Sequence, residues 1–271
     1  MIAIIDYDMG NLRSLENALD RLGATYCVTD DPAVIRAADK VILPGVGHAG
    51  LAMDNLVKRG LTGLIPTLRQ PVLGICVGMQ VLCRDSEEAP GKPCLGVFDA
   101  HVRLFSPAPG CKVPHMGWND LGNMEGKLLK DLNRNPYVYF VHSYYAGLCP
   151  DTVATCRYAG VMFSAALRYE NFYGTQFHPE KSGSIGEQIL KNFLAIGSTS
   201  SPPSTSSAES ARGSRRETTR RRRTTAETRP NGPGPMPIAA SGGCTSWTWK
   251  GPRKPRRRTS ARWRKSPPWA C

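Results

Sequence analysis

An apolar run, Pro71-Val72-Leu73-Gly74-Ile75, is bounded by Pro and Gly and reads as a buried strand that ends on Cys76. Cys76 stands between Gly74 and Gly78, and Val77 to Gln80 after it should open a helix. The stretch therefore has the form of a nucleophile elbow with sulfur in place of oxygen. Such an elbow demands a strand feeding a helix through a tight turn, with small neighbours that let a carbonyl approach the nucleophile. It also aims backbone N–H groups at that carbonyl oxygen, and a thiol at a helix N-terminus has its thiolate stabilised by the dipole. The competing reading is a small core residue in a buried strand.

The chain around it supplies the α/β frame that an elbow needs. Residues 2–5 read as a buried strand, and Leu12, Leu15, Leu19 and Leu22 recur at helical spacing before Gly23. A second strand is expected over 25–28, a short helix over 32–38 and a third strand over 40–43, which ends in the loop Pro44-Gly45-Val46-Gly47. Strands alternating with helices imply a parallel, doubly wound sheet with its ligands beyond the strands' carboxyl ends. The glycine-rich loop can bring backbone N–H groups close to a ligand, but it lacks the G-K-[ST] of a phosphate loop. From about 94 to 177 the pattern changes to short β-type runs at 101–105, 137–145, 153–156 and 172–177, which fit antiparallel additions to the parallel sheet.

The last run leads into Gln176-Phe177-His178-Pro179-Glu180-Lys181. If the backbone stays extended, residues two apart face one side, and Pro179 biases His178 towards that conformation. His178 and Glu180 then point together, and a carboxylate beside an imidazole fixes its tautomer and stabilises the imidazolium. Alone the pair would read as a surface ion pair. With Cys76 upstream it completes a candidate triad.

Nine cysteines, odd in number and without a C-x-x-C pair, argue against a disulfide framework and zinc and for a reducing compartment. The N-terminus meets Asp6 too early for a signal peptide, and no stretch approaches a membrane span, so a cytoplasmic protein without metal or cofactor is expected. The formal charge of +13 is unevenly placed. Residues 1–197 carry 18 Lys+Arg against 19 Asp+Glu, leaving 17 and 3 for the remainder, and aliphatic periodicity stops at the same point. The domain boundary is set at 197, with residues 198–271 a basic low-complexity tail expected to be disordered.

With both motifs in place, the chain resembles the class I, or triad, glutamine amidotransferases. Within them it is similar to the glutaminase subunit of imidazole glycerol phosphate synthase, an enzyme of histidine biosynthesis. The likeness runs from Ile2 to about Leu194 and follows the family's order. Its pieces are Asp6-Tyr7 with residues 9–14, the Pro-Gly-Val-Gly loop, residues 74–80, Pro114-His115-Met116-Gly117-Trp118-Asn119, residues 139–145 and residues 174–183. The elbow and His-Pro-Glu say only triad amidotransferase, whereas His-Met-Gly-Trp, Val-His-Ser-Tyr and Pro-Gly-Val-Gly favour this subunit.

The resemblance implies a flavodoxin-like, doubly wound, mostly parallel sheet with antiparallel additions. It implies that Cys76 attacks the side-chain amide of L-glutamine, with His178 as general base and then acid and Glu180 orienting His178, to give glutamate and ammonia. Val77 N–H and the glycine-rich loop, through Gly47 or a peptide flip at Val46, would form the oxyanion hole. Gln80, Ser143 and Tyr144 match positions that hold glutamine. Asn11, Trp118 and Lys181 fall in segments that face the partner, a separate cyclase subunit built as a (β/α)-barrel, in a heterodimer. Ammonia would pass through that barrel, shielded from bulk water, to form imidazole glycerol phosphate and AICAR. The glutaminase would be nearly silent until the partner binds its ligand. Two departures from the family pattern, Asp8 in place of Gly and His48-Ala49 in place of Ala-Phe, leave the triad untouched and bear on docking or loop packing. His115 and His142 read as hydrogen-bonded structural groups, with a supporting role for His142 left open, and His48 and His101 as exposed.

The tail's arginine clusters at 220–223 and 256–258 are of the kind that phosphates attract. Arg, Pro, Ser, Gly, Ala and Thr without aliphatics is also what GC-rich DNA yields out of frame. Reading the third base of each codon with the first two of the next, from Gly243 through Pro252, permits Leu-His-Val-Val-Asp-Leu-Glu-Gly-Ala. That string looks like a core strand of the histidine-pathway isomerase, and the same shift over 216–219 permits Gly-Asp-Tyr. The tail is therefore read as an out-of-frame extension, and nucleic acid is not the expected partner. Two rival functions are a peptidase-like cysteine hydrolase, disfavoured by Gln80 and Ser143-Tyr144, and a basic-arm nucleic-acid binder, disfavoured by the intact triad.

Overall fold

The structure is a computed structural model and describes residues 1–197. The readings of residues 198–271 as disordered and out of frame lie outside the described residues.

The strands that frame the elbow are β1 (Ile2–Ile5), β2 (Tyr26–Thr29), β3 (Lys40–Leu43) and β4 (Val72–Ile75). Every residue of β1, β3 and β4 except Lys40 is buried, which is why these segments read as unbroken apolar runs and not as alternating ones. Fully burying each of their Ile, Leu and Val side chains is worth roughly 1.5–3 kcal/mol. The intervening helices are α1 (Leu12–Arg21), α2 (Pro32–Ala37), α3 (Ala49–Lys58) and α4 (Val77–Val81). α1 buries Leu15, Ala18 and Leu19. Asp31 caps α2 by accepting from the Ala33 N–H at 2.7 Å.

Beyond α4 come β5 (Asp85–Ser86), β6 (His101–Leu104), β7 (His115–Asp120), β8 (Tyr137–His142) and β9 (Tyr144–Ala146). The chain continues with β10 (Thr152–Tyr158), β11 (Val161–Tyr169), β12 (Phe172–Thr175) and α5 (Gly183–Ala195). The central sheet runs β2-β1-β3-β4-β12-β11-β10. Its first five strands are parallel, and its last two pairings, β12 with β11 and β11 with β10, are antiparallel. That parallel order is the flavodoxin-like one, with ligands expected outside the strands' carboxyl ends. β4 and β12 are neighbours in register from Val72↔Phe172 to Ile75↔Thr175, so the segments carrying Cys76 and His178 leave the sheet side by side.

Several expectations need correction. The runs at 101–105 and 137–145 do not extend the central sheet, and the run at 172–177 joins it as β12, parallel to β4 and not as an antiparallel addition. β6 pairs with β5 and β9 in a three-stranded sheet, while β8 pairs with β7 in a two-stranded ribbon. The run at 137–145 is two strands, broken at Ser143, because the chain there changes partner from β7 to β6. β7 was not anticipated, since Gly117, Asn119 and Asp120 are poor strand formers. β2 lies one residue later than expected. No helix among the described residues is long and apolar enough to cross a membrane.

Candidate active site

Cys76 caps the five-residue α4 with φ 54 and ψ −110, a conformation that non-glycine residues seldom adopt and that marks stored strain. The strained residue is tied down by its own N–H, which donates to Thr175 O at 2.7 Å. Close packing of the elbow against β3 holds the turn. A Cβ at Gly78 would lie 1.9 Å from Leu43 O, so α4 seats on the end of β3 only because position 78 has no side chain.

His178 and Glu180 do meet, but not by strand alternation. β12 ends at Thr175, and His178, extended at φ −97 and ψ 98, precedes a single 3₁₀ turn over Pro179–Lys181. The turn, not a pleat, brings Nδ1 of His178 to 2.7 Å from Oε1 of Glu180, with both side chains almost completely buried. Tyr139 O accepts the His178 N–H at 3.0 Å, and Ser182 Oγ donates to His178 O at 2.7 Å, so backbone contacts fix the ring's origin. Burial opposes charge on the His178 ring, but the Cys76 thiol and the Glu180 carboxylate outweigh it and push the imidazole up to about 10. Nε2 itself makes no well-aligned hydrogen bond among the described residues, so Cys76 acts on it through proximity, a common state before substrate arrives.

Cys76 and His178 line one cavity of about 270 Å³ together with Val46, Gly47, Val77, Gln80, Glu88, Ser143 and Tyr144. That volume falls below the roughly 300 Å³ at which pockets for drug-sized ligands begin, and suits a small molecule. The predicted catalytic, oxyanion and substrate residues are thus all brought together. Gln80 Nε2 donates to Tyr144 O at 2.9 Å and to Gln176 Oε1 at 3.0 Å, which leaves its carbonyl oxygen for a ligand. Gln176 Nε2 in turn approaches Cys76 Sγ at 3.8 Å.

Of the expected oxyanion donors, the Val77 N–H is not free. Val77 N–H donates to Gly45 O at 3.3 Å, so the Gly45–Val46 peptide turns its oxygen, not its N–H, towards the elbow. Gly45 is pressed close: a Cβ there would lie 2.6 Å from Gly78 N and 2.8 Å from the Tyr7 hydroxyl. Gly47, at φ 94, occupies the left-handed region at the loop's end.

Of the three residues expected at a partner face, Asn11 lies against the triad. Asn11 shares a cavity of about 10 Å³ with Pro44, His178 and Glu180. Trp118 is 55% exposed on β7 and reaches over position 183, close in sequence to the half-buried Lys181. Asp8, one of the two departures from the family pattern, sits at φ 62 and pairs with Arg59 at 2.6 Å, and Arg59 also bridges Asp30. His48, the other, caps α3 through Nδ1, which accepts from Gly50 N–H at 3.0 Å.

The model of the glutamine amidotransferase class-I family matches residues 3–196. This chain belongs to the class-I glutamine amidotransferases. It is 50% identical over 194 residues to the imidazole glycerol phosphate synthase subunit HisH of Bacteroides thetaiotaomicron, covering 71% of this chain and 98% of that one. The subunit of the same name from Methanothermobacter thermautotrophicus is 47% identical over 198 residues, 72% and 98% of the two chains. A solved glutamine amidotransferase superimposes with a TM-score of 0.56 at 19% identity, over 72% of this chain and 97% of that one, a likeness of fold.

Two residues at this amidotransferase's site escaped the sequence reading, one packed beside Cys76 and one lining the cavity. Gln176 is fully buried two places before His178 in the same motif, a spacing that could have pointed to it. Glu88 had no signal. It follows the short β5 and holds the start of α3 by accepting the Ala49 N–H at 2.7 Å through Oε2.

Proposed function

We propose that the chain is the glutaminase subunit of an imidazole glycerol phosphate synthase, hydrolysing L-glutamine to glutamate and ammonia for histidine biosynthesis in the cytoplasm. One observation carries the reading: Cys76 and the buried His178–Glu180 pair open into a small cavity whose other polar groups, Gln80, Glu88 and Ser143, suit a free amino acid. The relatives matched over almost their whole length bear that subunit's name, which supports it.

In this reading Cys76 Sγ bonds to the amide carbon of glutamine. His178, held protonated by Glu180 and the thiolate, gives its Nε2 proton to the departing nitrogen as the C–N bond breaks. It then takes a proton from the water that attacks the thioester, and the sulfur leaves. A carboxylate at Glu88 and the carbonyl of Gln80 suit the substrate's ammonium, which a peptide would lack at that place. The oxyanion hole forms when the Gly45–Val46 peptide flips, releasing Val77 N–H and turning Val46 N–H inward.

The cyclase subunit, a (β/α)-barrel, is the proposed partner, docking on the face that carries Asn11, Trp118 and Lys181. Met116 and Trp118, 63% and 55% exposed side by side on β7, are the kind of apolar surface that such docking covers. The catalytic module is proposed to end at 197, in keeping with a family match that stops at 196. Resequencing the coding DNA through Ser198 tests whether the tail is in frame. Glutamate release from glutamine, with and without a cyclase subunit and its nucleotide ligand, tests the function. Strong stimulation lost in Cys76→Ala is the expected result, and turnover indifferent to the partner would point to a free-standing amidohydrolase.

A further inference from the structure

His142, which lines the cavity beside Ser143 and Tyr144, and His115 next to it form a pair of buried histidines that the triad does not use. His142 Nδ1 sits 2.7 Å from Tyr144 O, and His142 Nε2 sits 3.1 Å from His115 Nδ1. Beyond it, Asn119 Nδ2 stands 3.4 Å from His115 Nε2. A carbonyl oxygen only accepts, so His142 must carry its proton on Nδ1. Its Nε2 is then a lone pair, which requires a proton on His115 Nδ1 and leaves His115 Nε2 to accept from Asn119. The Asn119 amide cannot turn over without loss, because its Oδ1 accepts the Asp120 N–H at 2.9 Å and its Nδ2 also donates to Arg157 O at 3.1 Å. One donor order satisfies the whole chain, and it leaves both rings neutral.

The surroundings reinforce neutrality. His115 is stacked between Tyr158, at 3.8 Å between ring centres, and Phe140, at 4.8 Å, while Phe105 and Phe163 pack on His142. Burial lowers His115 to about 4. Burial lowers His142 to about 3, with the Tyr144 carbonyl opposing and repulsion from His115 and His178 adding to it. The titratable groups facing the pair are the two rings themselves, His178, and the phenols of Tyr158 and Tyr145, the last beside Phe105.

The far end of this chain is the glutamine subsite. Tyr144 O accepts from His142 and from Gln80 Nε2, and Gln80 continues through Gln176 to Cys76 Sγ. We propose that His142, backed by His115, is a positioning residue for glutamine binding: the pair, locked as two Nδ1–H imidazoles, fixes the Tyr144 carbonyl and with it the Gln80 amide. This rests on the glutaminase reading. The pair's hydrogen bonds run to Tyr144 O and Asn119 and not to Cys76, His178 or Glu180, so its effect is expected on binding and not on chemistry.

Two measurements on the full chain test it. Imidazole ¹⁵N shifts should place the proton of His115 and of His142 on Nδ1, the tautomer a free histidine disfavours, with no titration around pH 6.5 where a free ring changes charge. In kinetics with the cyclase subunit present, His115→Leu leaves the buried His142 Nε2 without its donor. It should raise KM for glutamine about tenfold while kcat stays within about threefold, as loss of one buried hydrogen bond at a binding group predicts. His115→Asn, whose amide nitrogen falls where Nδ1 was, should recover most of that loss. A proton on Nε2 of either ring, a ring that titrates near neutrality, or a His115→Leu enzyme with unchanged KM overturns the proposal. If His115→Leu does not fold, the ¹⁵N pattern of the native chain decides. If the native chain releases no glutamate, the glutaminase reading fails by itself and the tautomer pattern still judges the pair.

Discussion

Replacing the Val46 amide by an ester, with the α-hydroxy analogue of valine at position 46, would delete one N–H and leave the shape of the loop unchanged. Val46 N–H makes no hydrogen bond to any described residue, so the resting fold should lose almost nothing. The only bond that the flip must break is Val77 N–H to Gly45 O, at 3.3 Å on the long side of the normal range. Such a bond is worth about 1 kcal/mol or less, so the closed loop outweighs the open one by about fivefold from this source. The flipped Val46 N–H, in contrast, meets charge that develops only in the transition state, and losing one such donor costs about 10²–10³ in kcat. The ester also weakens Gly45 O as an acceptor, which favours opening, so a fall in kcat isolates the missing donor. The assay is glutamate release under saturating glutamine with the cyclase subunit bound, alongside thermal unfolding. An ester enzyme within about threefold of the native kcat at unchanged stability would refute the flip and leave Gly47 N–H as the candidate donor.

Four further outcomes are expected. Cys76→Ala should abolish glutamate release without lowering Tm, whereas Cys76→Gly should be equally inactive but more stable by about 1 kcal/mol, because glycine relieves the φ of 54; chemical denaturation compares them. Because the folded His178 is raised to about 10, its contribution to stability is complete below the unfolded value near 6.5 and disappears as pH rises through about 10. Glu180→Gln should flatten that decline in urea titrations between those limits and lower kcat. Gly78→Ala should fail to accumulate as folded protein, since its Cβ would overlap Leu43 O at 1.9 Å, which solubility and circular dichroism will show. Glu88→Gln should raise KM for glutamine by about tenfold with kcat little changed, as expected for loss of a charged partner to the ammonium.

In the parallel half, β1, β3 and β4 were legible because they are buried on both faces, and α1 because its leucines recur at helical spacing, whereas β12 read as an antiparallel addition and α3 left no signal that was used. The second half was less so. β7 places Gly117, Asn119 and Asp120 in a ribbon whose stability comes from pairing with β8, not from strand propensity. The break at Ser143 is invisible in an apolar run that continues through it, because the change from β7 to β6 as partner is a long-range choice. At the site, Cys76 and His178 were readable from residue type and spacing. The contact of His178 with Glu180 came through a 3₁₀ turn, which alternation could not foresee.

What no pattern of side chains conveys is the direction of a peptide dipole. Val46 and Val77 were singled out as oxyanion residues, and in the structure one N–H is turned away and the other is taken by Gly45 O. The glycines that make the loop compact also make both orientations of the Gly45–Val46 peptide accessible, so the residues alone specify a hole that is either open or shut. A bond of about 1 kcal/mol holds the shut form, while the open form gains two donors on the transition state. An equilibrium so nearly balanced is moved by any contact that favours one state by a kcal/mol or two. The proposed docking face runs through Asn11, which shares a cavity with Pro44, Gly45 and Val46, so a partner seated there would bear directly on that peptide. With the partner docked as proposed, control of this enzyme would require no rearrangement of the triad, only a bias on one carbonyl next to it.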